Sequence, residues 1–192
     1  MQLKINDRRG THLIRILITA FALVTSTLAH AEDDDPPLYK QFQSGWMVRI
    51  GKGHCLAARS YENGDNLYIA YDAETNLAVV SVSDPDATSL KDGQEVKLHV
   101  IFIGNDRLDN GWGVWDFKVF KEDSSIMMMG SFDARDMLSD VALNDIMAFS
   151  IDGTAERLVG AYNLDGSSAA IDALRRCSFE IKGLNPNDPF LR

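Results

Sequence analysis

The chain has 192 residues, 45% of them apolar by type, with 19 Lys and Arg against 28 Asp and Glu, a formal net charge of −9. That length and composition suit a single core of ordinary size. The acidity argues against nucleic acid, whose phosphates require Lys and Arg, and against adhesion to an anionic lipid surface.

Lys4, Arg8, Arg9 and Arg15 open the chain, Ile16 to Ala29 is apolar, and Ala29-His30-Ala31 ends in small residues. The pattern reads as a signal peptide over residues 1–31, cleaved after Ala31. Its apolar run of about 14 residues falls short of the roughly 20 that a spanning helix needs, so no stable membrane insertion is expected after cleavage. No cysteine follows the small residues, as a lipoprotein would require, and Arg8-Arg9 lacks the apolar residues of a twin-arginine signal. The general secretory route follows, with a periplasmic or secreted product. Removing the four basic residues and Asp7 of the signal leaves 15 basic and 27 acidic residues, net −12. Such a charge suits solubility, a cationic protein partner or divalent cations.

Residues 32–41 are acidic and proline-bearing and are expected to form a disordered arm. A single β-rich domain is expected over 42–182. Trp46, Val48 and Ile50 alternate with Met47 and Arg49, and Leu67, Ile69 and Tyr71 repeat the period after Asn63-Gly64. Leu77 to Val82 is continuously apolar, as in a central strand. Val96 to Phe102 follows Asp92-Gly93, and a polar loop closing at Asp109-Asn110-Gly111 precedes a strand over Val114 to Phe120. Ile126 to Gly130 is the next strand. In Asp133 to Ala142, Ala134, Leu138 and Val141 recur at helical spacing, with Ser131 or Asp133 able to cap the start. Ile146 to Ile151, Asp152-Gly153 and Arg157 to Asn163 predict a hairpin, because Asp-Gly tolerates the positive φ of a tight turn. A second helix is expected over Ala169 to Arg176, capped by Ser167 or Ser168. Residues 183–192, with Pro186 and Pro189, read as an irregular tail. The sum is mainly β: an antiparallel sandwich or barrel of about eight strands with two short helices. An exposed edge strand would offer a route to pairing of two copies.

The two cysteines, Cys55 and Cys177, have one intramolecular pairing, and export predicts that they form a disulfide. Oxidation of Cys55 removes it as a partner for His54. Gly51-Lys52-Gly53 lacks the spacing of a phosphate loop. Gly166-Ser167-Ser168 lacks the second glycine of a nucleophile elbow. His99 is a candidate general base, although a surface strand position also accounts for it. Neither zinc spacing nor an EF-hand is present, the nearest oxygen-rich stretch being Asn105, Asp106, Asp109 and Asn110. Met127-Met128-Met129 offers thioethers of the kind that bind copper(I), yet a strand would point Met128 away from its neighbours. No metal or catalytic set and no cofactor is assigned. Trp112 and Trp115, beside a loop carrying Asp106 and Asp109, are the candidate binding residues. Shared strand parity of Trp115 and Phe117 also fits burial on an inner face.

Three stretches carry a resemblance: G-W-M-V…G-H-C over Gly45 to Cys55, N-L-Y-I-A-Y-D over Asn66 to Asp72, and L-D-G-S-S-A-A-I-D-A-L-R-R-C over Leu164 to Cys177. Together they resemble small exported proteins of alphaproteobacteria, most of them uncharacterised. A looser likeness, on the early tryptophan and cysteine and the alanine-rich ending, is to the invasion-associated locus B proteins. The resemblance implies a structural frame and carries over no functional residue. The function expected from the residues is a non-catalytic periplasmic or secreted binding module, including inhibition of a basic envelope-directed enzyme. The alternatives are a periplasmic hydrolase using His99 and a metal-binding envelope protein.

Overall fold

The computed structural model describes residues 36–84, 87–104, 107–122, 125–153 and 157–185. The segment read as a signal peptide, the start of the segment read as an acidic arm, and residues 186–192 lie outside them. The described chain runs β1 (Leu38–Gln41), β2 (Met47–Ile50), β3 (Cys55–Ser60), β4 (Asn66–Asp72), β5 (Leu77–Asp84), β6 (Glu95–Gly104), β7 (Arg107–Glu122), β8 (Ser125–Asp133), α1 (Ala134–Leu143), β9 (Ile146–Ser150), β10 (Leu158–Asn163) and α2 (Ser167–Ile181).

All ten strands form one antiparallel sheet in the order β1-β2-β3-β4-β5-β8-β7-β6-β9-β10. The mainly β, antiparallel reading therefore holds, and the sheet is not closed into a barrel, since β1 and β10 do not pair. One face supplies the core: Val48, Ala57, Ile69 and Val80 are register neighbours, and Leu98, Val100, Phe117, Met128 and Phe149 continue it. α2 packs on β2, β3, β4 and α1, while α1 packs on β5, β6 and β8. The sheet is thereby covered by two helices whose apolar positions recur at helical spacing.

Two strands were not expected. β1 begins at Leu38, inside the segment read as an arm; Ile50 N–H donates to the Pro37 carbonyl at 2.8 Å and Arg49 to Pro36 at 2.9 Å, so β2 captures it. β3, Cys-Leu-Ala-Ala-Arg-Ser, lacks the β-branched residues that announce a strand; ladders to β2 and β4 on both sides impose it. The polar loop expected before Val114 is a second correction. β7 starts already at Arg107, and two register shifts against β6 absorb its polar residues. Asp133 caps α1 by accepting from Arg135 N–H at 2.9 Å. Ser167 and Ser168 do not cap α2: its cap is Gly166 at φ +76, where a Cβ would collide with Ser44, and Ser167 Oγ donates to the Val141 carbonyl of α1 at 2.6 Å.

The two flanks of the sheet meet without a strand ladder. Arg59 donates to the carbonyls of Asn163 (3.0 Å) and Asp165 (2.8 Å), Tyr61 to Asn163 (2.8 Å), and the Trp46 indole to Asp165 (3.1 Å). Burial pushes the Tyr61 hydroxyl up to about 12, so it remains a donor at neutral pH. Both end strands are also bulged, β1 between Leu38 and Lys40 and β10 between Leu158 and Gly160. Bulges, together with Arg59 on the Asn163 carbonyl, blunt edges that would otherwise template pairing.

Cys55 and Cys177 are bonded, with a Cα–Cα separation of 6.1 Å and a sequence separation of 122, and both cysteines are buried. Replacing both by alanine should lower unfolding free energy by about 2–5 kcal/mol in urea titrations; an unchanged midpoint would show that α2 stays seated by packing alone. His54, next to this bond, stands close against Gly51, where a Cβ would come within 2.8 Å of Nε2. Burial lowers its pKa against the weaker opposing pull of the Lys52 carbonyl (3.3 Å from Nδ1) and Asp72, with Lys182 adding to the lowering. The folded state thus favours neutral His54, while the unfolded chain binds a proton near about pH 6.5. Its contribution to stability is complete above that pH and is lost as pH falls toward the folded value. The melting temperature of His54→Asn should therefore depend less on pH across this window than that of the parent.

Candidate functional site

The β7 register decides where its tryptophans point. Val100 pairs with Gly113 and Ile101 with Gly111, which leaves Trp112 as the extra residue of a β-bulge, and Gly113 adopts φ +74. In an unbroken strand, Trp112 and Trp115, three apart, would face opposite sides. The bulge resets the alternation and turns Trp112 to the side of Trp115. Their ring centroids stand 5.8 Å apart at 49°, over Phe132 at 5.7 Å from Trp112 and 4.8 Å from Trp115, with Phe102 at 6.3 Å from Trp112. Gly130 makes room beneath: a Cβ there would be 2.9 Å from Phe117 and 3.1 Å from Phe132. Rings continue inward from Phe132 to Phe117, Phe149, Tyr162 and Tyr61 with centroid spacings of 5.3–5.9 Å.

Phe132 is buried, whereas Trp112 and Trp115 are half-buried. Their N–H groups are directed into the protein. Trp112 Nε1 donates to Asp140 Oδ2 at 2.6 Å, and Trp115 Nε1 to the Trp112 carbonyl at 2.7 Å. Asp140 is half-buried on α1, and Asn144 holds its turn by donating to the Asp140 carbonyl from its backbone (3.1 Å) and side chain (2.8 Å). No basic side chain whose position is described pairs with Asp140. Asp136 and Leu143, the latter 77% exposed, share its helix face.

Trp112 and Trp115, named from the sequence as candidate binding residues, stand side by side, an arrangement that strand parity alone does not give. Asp106 lies outside the described residues. Asp109 is in β7, where it is the extra residue of the second register shift. Sequence reasoning missed Asp140 because it sits at an ordinary polar position of a short helix; only the tertiary contact singles it out. Cys55 and Cys177 lie away from this site, on β3 and α2.

The other candidates stay apart. His99 pairs across the β6–β9 ladder with Ser150, and its ring lies over Gly153, where a Cβ would be 3.1 Å from Nδ1. Ser150 is fully buried, and its hydroxyl donates to Asp152 Oδ1 at 3.3 Å. Met128 is buried in the core, while Met127 and Met129 lie half-buried on the opposite face. No group of three or more His, Cys, Asp or Glu suited to a metal ion occurs among the described residues, and no described helix is long and apolar enough to cross a membrane. No protein-family model, curated protein or solved structure matches the chain.

Since the bulge sets the indole geometry, Gly113→Val should disturb it, although space around the glycine is open, because a β-branched residue resists positive φ. Circular dichroism should report reduced coupling between the two indoles at a stability cost of about 1–3 kcal/mol. A spectrum identical to the parent would mean that the tryptophans are placed without the bulge.

Proposed function

We propose that this protein is a non-catalytic binding module, exported by its N-terminal signal, that contacts a basic protein of the cell envelope. One observation carries the reading: a fixed, half-buried tryptophan pair stands beside a carboxylate that pairs with no basic side chain among those the structure describes. Tryptophan is over-represented among residues that dominate binding energy, and rigid rings lose little entropy on contact. A net charge of −9 over the whole chain steers cationic partners toward such a surface. The buried Cys55–Cys177 bond suits an oxidising compartment. Inhibition of a basic envelope-directed enzyme is the form of binding that these features favour, since a rigid protein surface can obstruct a cationic cleft.

Immobilised protein should retain basic envelope proteins at low ionic strength and release them in a salt step. Retention should fall for Asp140→Asn, which keeps an acceptor for Trp112 but removes the charge. Retention that ignores both salt and this substitution, or none at all, would overturn the proposal.

A further inference from the structure

The site offers a visitor a restricted chemistry. Both indole N–H groups are occupied within the protein, so what faces outward is π surface and the remaining acceptor capacity of Asp140. A ligand held there must bring donors and positive charge. Shape narrows the choice. Asp140 Oδ2 lies where the Trp112 N–H points, close to the indole plane, so the carboxylate is at the rim of the ring. A planar cation can lie flat on the indole and direct in-plane N–H groups toward that rim. A tetrahedral ammonium approaching the carboxylate would contact the face less fully and would lose a stronger hydration shell. Asp136, one turn earlier on α1, adds a second exposed negative charge, and exposed Leu143 on the same helix face can pack on an aliphatic stem.

We infer that the Trp112–Trp115–Asp140 site seats the guanidinium of an arginine side chain on the partner, stacked on indole and hydrogen-bonded to the carboxylate. The inference rests on the binding-module reading and specifies the group that it recognises.

Nona-arginine and nona-lysine peptides of equal charge separate the two levels by calorimetric titration of the full chain. Nona-arginine should bind about tenfold more tightly than nona-lysine, and the preference should vanish in Trp115→Leu and in Asp140→Asn. The second variant keeps the size of the side chain and remains informative if the first fails to fold. Equal affinity for both peptides, or a preference that survives Asp140→Asn, would overturn the guanidinium site while leaving an acidic binding module in place. Failure of the parent to bind either peptide at low salt would overturn both.

Discussion

The apolar face of an open sheet must be covered, and here the cover is α2 held across β2, β3 and β4. Its buried positions Ala170, Ile171, Leu174 and Cys177 repeat at helical spacing, so one face meets the sheet while the Cys55–Cys177 bond fixes the register. The small residues Ala170 and Ala173 allow close approach. Ser178 Oγ then donates to the Tyr71 carbonyl at 3.0 Å, a side-chain bond in a place where an unpaired carbonyl would be costly. Covalent closure constrains chiefly the unfolded chain, whereas packing and the buried serine bonds define one seat.

From that seat the remaining geometry follows stepwise. The elbow entering α2 presents the carbonyls of Asn163 and Asp165 to Arg59, Tyr61 and Trp46, which joins the flanks of a sheet that does not close. Gly166 lets the elbow pass against Ser44. Ser167 ties the first turn of α2 to Val141, and so to α1. On α1, Asp140 reaches Trp112 across the end of the sheet. The disulfide and the candidate site are thus linked through both helices, although they share no side chain.

Much of this architecture was legible as local pattern. Period-two alternation marks β2, β4 and β6, Asp-Gly marks the β9–β10 hairpin, and the capping candidates Ser131 and Asp133 announce the start of α1, because each signal resides in adjacent residues. The cysteine pair was legible because two cysteines admit a single partnership. β3 was hidden, since Ala57 and Ala58 have no intrinsic preference for a strand and obtain theirs from neighbours. The α2 cap was misread because Ser167 could serve its own helix or a distant carbonyl, and only the fold decides. At the site, Trp115 was legible by parity, but Trp112 was not. A bulge is a relation between two strands, and the residues of β7 alone do not reveal where β6 drops out of step.

The bulge bears on whether these tryptophans serve the core alone. Trp46 illustrates an indole used for packing: it is fully buried and its N–H meets a backbone carbonyl. Trp112 differs in both respects, being half-buried rather than fully buried and bonded to a carboxylate that is itself half-buried. An extra strand residue leaves part of the ladder unpaired, and an indole left in water forgoes hydrophobic stabilisation in proportion to its exposed area. A bulge serving only the interior would recover that loss by burying its side chain. Here the break in the ladder instead leaves an indole partly in water beside a carboxylate that no described basic side chain pairs with, and the proposed cationic contact rests on that arrangement.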